Sequence, residues 1–129
     1  MSKPIIICID DESLVLDSLK IELNKFFKNN CLYEFASSGE EGLEIVAELE
    51  EDAPNSQKIV ISDWWMPGMK GDEVLIAIHQ QYPQVVTIML TGQASEAAIA
   101  DVKEKANLYR CLRKPWKFKD LMQTIEKII

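Results

Sequence analysis

Polar residues that could do chemistry stand behind each long apolar run: Asp10 and Asp11 after Pro4–Ile9, Asp63 after Lys58–Ser62, Thr91 after Val85–Leu90, and Lys114 just beyond Tyr109–Leu112. The runs read as buried strands, so each polar residue falls at a carboxyl end. In an open parallel sheet those ends share one edge, where such sheets place their ligands. Three carboxylates gathered there repel one another, which raises at least one pKa. A hard dication removes the conflict. Mg²⁺ takes oxygen ligands in octahedral geometry, commonly one or two carboxylates plus waters, and leaves room for phosphate oxygens. Lys114 adds a point charge for a phosphate and Thr91 a hydroxyl donor. The set suits phosphoryl transfer, in which a protein mainly positions groups and neutralises charge. Asp63, the lone carboxylate on the middle strand, is then the nucleophile. Taken singly, each residue is as well explained as a cap, turn former or surface charge; five at successive strand ends are not.

The elements that must position these residues follow from periodicity. The stretch Ile59-Val60-Ile61-Ser62-Asp63-Trp64-Trp65-Met66-Pro67-Gly68 is a strand stopped by a Pro-Gly turn. After Asp10-Asp11-Glu12-Ser13 the apolar period becomes helical, and Leu14, Val15, Leu19, Leu23, Phe26 and Phe27 are expected on one helix face. Asn29-Asn30 breaks that helix, and Cys31–Ala36 reads as a less apolar edge strand. Ser37-Ser38-Gly39 opens a helix carrying Leu43, Val46 and Ala47, which dissolves in an acidic loop around Pro54. Gly71–Tyr82 is predicted as a helix with Val74, Leu75 and Ile78 inward, Ser95–Ala106 as an alanine-rich helix, and the last helix carries Phe118, Leu121, Met122, Ile125 and Ile128. Strand and helix thus alternate about five times, which predicts an α/β fold with a doubly wound parallel sheet covered on both faces. The strands are apolar in blocks rather than in alternation, as double covering requires.

Composition bounds the function classes. A chain of 129 residues, 47% hydrophobic and 27% charged, fits one domain able to bury a core without disulfides or a structural metal. Its formal net charge of -7 argues against nucleic-acid binding, which needs a cationic stripe. Cys8, Cys31 and Cys111 are odd in number, lack metal-type spacing and read as small buried hydrophobes in a reducing compartment. No run approaches the ~18 apolar residues of a membrane span, and no signal-peptide core follows Met1-Ser2-Lys3-Pro4. A cytoplasmic protein without membrane contact is expected.

Asp10-Asp11-Glu12, Asp63 with Met66-Pro67-Gly68 and Gly71, Thr91-Gly92, and Lys114-Pro115 form an ordered set that resembles the receiver domain of two-component response regulators. The likeness runs from about Lys3 to Ile129 and makes residues 1–129 one receiver domain. It implies a flavodoxin-like, five-stranded sheet in the order 2-1-3-4-5. It implies that Asp63 takes a phosphoryl group from a sensor histidine kinase or a phosphotransfer protein. By the same resemblance Mg²⁺ is held by Asp11, Asp63 and the main-chain carbonyl of Trp65, with Asp10 acting through water. Thr91 and Lys114 would contact phosphoryl oxygens, and the Lys114–Pro115 peptide would be cis. Such a chain is a signalling phosphoacceptor that assists its own phosphorylation and dephosphorylation, not an enzyme. Its signal would leave through the fourth helix, fifth strand and fifth helix, toward an unknown downstream protein or a missing output domain.

Four positions would modulate that switch: Cys111, Tyr109, Trp65 and Gln93. Cys111 stands where many relatives carry an aromatic, three residues before the lysine, and Tyr109 lies two residues earlier on the same side of an extended strand. Trp65, two residues past Asp63, is bulky enough to hinder an attacking water, which predicts slow self-dephosphorylation. Lys70 and Arg110 replace acidic residues common in relatives, the latter lowering the expectation of a symmetric activated dimer. Two enzyme-like rivals fit less well. A haloacid-dehalogenase-type phosphohydrolase needs a second carboxylate where Trp65 stands, and a flavin-binding flavodoxin would have Asp10-Asp11-Glu12 repel its phosphate. The remaining alternative is a receiver-like interaction domain that is never phosphorylated.

Overall fold

The computed structural model describes residues 2–92 and 94–129. Strands β1 (Ile5–Ile9), β2 (Leu32–Ala36), β3 (Lys58–Asp63), β4 (Val86–Thr91) and β5 (Arg110–Arg113) alternate with helices α1 (Ser13–Phe27), α2 (Gly39–Asp52), α3 (Gly71–Gln81), α4 (Glu96–Ala106) and α5 (Phe118–Ile128). The sheet is parallel throughout, in the order β2-β1-β3-β4-β5. This is the doubly wound architecture expected from the alternation, in the flavodoxin-like strand order that the resemblance implied.

Side-chain alternation along each strand divides the core in two. Ile5, Ile7 and Ile9 of β1, Val60 of β3 and Met89 of β4 face a layer closed by Val46 of α2, Leu75 and Ile78 of α3, and Ile99 and Val102 of α4. Ile6, Cys8, Ile59, Ile61, Ile88 and Leu90 face the opposite layer, closed by Leu19 and Leu23 of α1 and by Leu121 and Ile125 of α5. The middle strands bury apolar side chains on both faces, which is why they read as unbroken runs rather than alternating ones. The edge strand β2 keeps Leu32 half exposed.

Helix boundaries follow local chemistry. The Ser38 hydroxyl accepts the Glu41 N–H and caps α2, while Glu41 Oε1 accepts the Ser37 N–H. Ser95 caps α4 by accepting the Ala98 N–H, and Asn107 ends that helix in the left-handed region. The α1 face is narrower than its sequence pattern suggests. Leu19, Leu23 and Phe27 are buried, but Leu14 is 78% and Phe26 47% exposed. Consecutive helical residues point about 100° apart, so Leu14 cannot join Val15 on the sheet, nor Phe26 join Phe27. Ala47 is likewise exposed, and Ile45 packs against the core instead. Strand β5 starts at Arg110, leaving Tyr109 outside it, half exposed.

Candidate functional site

Register brings the strand ends together. Ile9 pairs with Ser62, Asp63 with Leu90, and Thr91 with Arg113, so Asp10, Asp63, Thr91 and Lys114 emerge along one edge. Short backbone bonds fix the loops behind them. The Trp64 N–H donates to the Leu90 carbonyl at 2.9 Å, the Lys114 N–H to the Thr91 carbonyl at 2.6 Å, and the Gly71 N–H to the Trp64 carbonyl at 3.0 Å. Gly71 packs so closely that a Cβ there would collide with the Asp63 carbonyl oxygen. The Lys114–Pro115 peptide is cis, as the sequence resemblance implied.

The result is a cavity of about 200 Å³ at the carboxyl edge. Asp11, Asp63, Trp65, Thr91 and Lys114 line it, together with Glu12, Trp64 and Gly92. Asp10 lies just behind the wall, 1% exposed, yet Asp10, Asp11 and Asp63 each bring a carboxylate oxygen within 4.8 Å of the others. Lys114 Nζ reaches Asp63 Oδ1 at 2.9 Å. Thr91 is buried, and its Oγ1 accepts the Ala94 N–H at 3.0 Å.

The electrostatics carry the strain of that gathering. Burial pushes the Asp10 carboxyl up to about 6; the Glu12 N–H and Lys114 pull it down, while Asp63 and Asp11 push it further up. Burial also raises Asp63, and the Lys114 ammonium only partly offsets this because Asp11 and Glu12 act against it. Burial works to lower Lys114, but the Asp63 hydrogen bond and charge outweigh it and hold the ammonium above its ordinary value. Asp10 Oδ1 accepts the Glu12 N–H at 2.9 Å, whereas its buried Oδ2 has no hydrogen-bond partner among the described residues. An orphaned buried carboxylate oxygen beside two further acids fits a hard, oxygen-seeking divalent cation.

Not every residue singled out in the sequence belongs to this edge. Trp65 does, standing at the cavity mouth 53% exposed, with Lys70 Nζ 5.0 Å from its ring centroid. Cys111 does not: it is half buried opposite Met89 on β4 and packs into the layer beneath α3 and α4. Tyr109 is absent from the cavity wall, and Gln93 lies outside the described residues. Sequence reasoning passed over two contributors. Arg113 sends Nη1 to the Ala94 carbonyl at 3.2 Å and Nη2 to Glu96 at 2.5 Å, tying β5 to the start of α4. Trp116 faces Lys114. Their places next to Lys114 were visible in the sequence, but their partners arrive from distant segments.

An apolar groove borders the site, lined by Val15, Pro115, Trp116 and Phe118 and continued by Leu14. No helix among the described residues is long and apolar enough to cross a membrane.

Comparison with known proteins agrees with this geometry. The chain is 27% identical over 125 residues to the hydrogenase transcriptional regulatory protein HoxA of Cupriavidus necator, covering 96% of this chain but 24% of that protein. It is 32% identical over 94 residues to the sensor kinase CckA of Brucella abortus, covering 73% of this chain and 9% of the kinase. The chain therefore spans a quarter or less of the length of these curated relatives. Among solved structures, the signal receiver domain of an HD domain-containing protein from Pseudomonas fluorescens Pf-5 superposes with a TM-score of 0.84 at 29% identity, over 97% of this chain and 93% of that one. The family model described as the response regulator receiver domain matches residues 6–126, nearly the whole sheet and its helices. The chain belongs to the response regulator receiver domain family.

Proposed function

We propose that this receiver accepts a phosphoryl group on Asp63 from the phosphohistidine of a sensor histidine kinase or phosphotransfer protein, in a Mg²⁺-dependent reaction. The observation that carries the reading is the meeting of three carboxylates with one ammonium, Lys114 Nζ lying 2.9 Å from Asp63 Oδ1. An Asp63 carboxylate oxygen attacks phosphorus, the new P–O bond forms as the P–N bond breaks, and the departing imidazole nitrogen takes a proton. Asp11, Asp63 and the Trp65 main-chain carbonyl would hold the ion, with Asp10 supporting it through water. When bound, Mg²⁺ supplies a positive centre that neutralises the carboxylates and the phosphoryl oxygens. Lys114 leaves its pairing with Asp63 to meet a phosphoryl oxygen, and the Thr91 hydroxyl donates to another. The same residues assist loss of the group to water, so the chain works as a self-assisting phosphoacceptor rather than an enzyme with a separate substrate. The apolar groove beside the cavity suits a helical donor that must bring its histidine within bonding distance.

The signal passes, on this reading, to the surface of α4, β5 and α5. Thr91 Oγ1 is tied to the Ala94 N–H, so drawing Thr91 toward phosphate pulls on the segment before the α4 cap. Recipient proteins or an output domain would read that surface. The net charge of -7 supports a protein partner rather than nucleic acid.

Incubation with acetyl phosphate and Mg²⁺, followed by intact-mass measurement, tests the reading. It requires a gain of one phosphoryl group that disappears in Asp63→Asn and when the metal is chelated. Absence of any gain in folded protein would instead leave an interaction domain that keeps the receiver fold. Amide exchange on α4 and β5 that is the same with and without the phosphoryl group would refute the proposed exit route.

A further inference from the structure

We propose that Trp116 is a positioning residue for phosphoryl transfer: its indole face holds the Lys114 ammonium over the site. Lys114 Nζ lies 5.7 Å from the Trp116 ring centroid while it pairs with Asp63. The ammonium is thus bracketed between a carboxylate on the cavity side and an aromatic ring on the groove side. Tryptophan is the best aromatic partner for a cation, and the attraction reaches to about 6 Å from the centroid.

The ring itself is fixed. It meets Phe118, the first residue of α5, edge to face at 6.4 Å and 81°, and it packs against the layer formed by α1, α5 and the sheet. Its Nε1 has no acceptor among the described residues, so packing rather than a hydrogen bond sets its orientation. Lysine, by contrast, carries a flexible four-carbon stem with large rotamer freedom, and the Lys114 side chain is 27% exposed. Glu12 lines both the cavity and the groove, so an unrestrained ammonium has a second carboxylate to follow. The indole face restrains the ammonium on the Asp63 side, ready for a phosphoryl oxygen.

The inference rests on the proposed role of Lys114, and the test separates the two. Trp116→Leu and Trp116→Phe are made in the native chain and in Lys114→Ala, and phosphorylation by acetyl phosphate is followed with saturating Mg²⁺ alongside thermal melting. Trp116→Leu should slow the maximal rate about three- to tenfold with little change in half-saturating donor concentration, and Trp116→Phe should recover most of it. In Lys114→Ala the leucine change should cost no further rate, although its loss of packing still lowers the melting temperature there. NMR of the Lys114 Cε protons should show a ring-current shift that Trp116→Leu abolishes. A rate loss that persists undiminished in Lys114→Ala, or Lys114 resonances indifferent to the ring, overturns the positioning role and leaves Trp116 as packing. A native rate in Lys114→Ala alone overturns the role of Lys114 and this inference with it. Should the leucine variant fail to fold, the phenylalanine variant carries the same cycle, with a smaller expected loss.

Discussion

Lys114 and Asp63 meet at 2.9 Å although their strands are not neighbours: β4 lies between β3 and β5. The lysine side chain spans the end of β4, past Gly92, to reach the carboxylate. Each member makes burial of the other tolerable. Truncating Lys114 to alanine leaves a buried, unpaired Asp63 and should cost the metal-free protein about 1–2 kcal/mol at neutral pH. Asp63→Asn in that background should restore most of it. Chemical denaturation of the four proteins measures this coupling, and additive single effects would mean that the pair contributes nothing.

Asp10 predicts a pH dependence. Its pKa rises from an ordinary 3.8 to about 6 in the fold, so folding disfavours the charged form. Stability tied to neutral Asp10 is fully present below about pH 4 and is lost as pH climbs through 6. Metal-free Asp10→Asn should therefore be more stable than the native chain at pH 8, by about 1 kcal/mol after allowance for solvent screening, and nearly equal to it at pH 4. Saturating Mg²⁺ should stabilise the native chain, by about 2.7 kcal/mol at a hundred times its dissociation constant, and help the variant less. Denaturation midpoints across pH, with and without the ion, check both signs.

Trp65 stands half exposed at the cavity mouth, its ring 5.0 Å from Lys70 Nζ. A ring there would screen a phosphoryl group on Asp63 from attacking water. Replacing it by asparagine should shorten the phosphoryl half-life about tenfold, and Lys70→Ala should have a smaller effect in the same direction by loosening the ring. Decay of the phosphorylated form after donor removal gives both half-lives. A native half-life no longer than that of Trp65→Asn rejects the shield.

Gly71 has no room for a side chain against the Asp63 backbone. Gly71→Ala must move the loop that carries Trp64 and Trp65, and should destabilise the protein by about 3 kcal/mol. Because the displaced carbonyl belongs to Asp63, Mg²⁺ affinity should fall too. Thermal melts and metal titration followed by tryptophan fluorescence would reveal an unstrained substitution at once, as unchanged values in both.

The sequence alone determined the doubly wound sheet, because apolar blocks broken by Asp10, Asp63, Thr91 and Lys114 already carry both the strand period and the strand ends. It also named the acids and the lysine, since residue type is what a cation or a phosphate recognises. It could not decide which apolar residues of α1 reach the sheet. Leu14 and Phe26 match the pattern but turn outward, because a helix presents only part of its circumference to a flat layer. Nor could it foresee that β5 begins after Tyr109, or that Cys111 packs away from the carboxyl edge of the sheet. Strand register is set by pairing with a neighbour, and that information is not local. The clamp of Arg113 on Ala94 and Glu96, the orphaned oxygen of Asp10 and the ring of Trp116 beside Lys114 likewise emerged only from tertiary structure. Each depends on distances between segments remote in the chain, which only the folded backbone fixes.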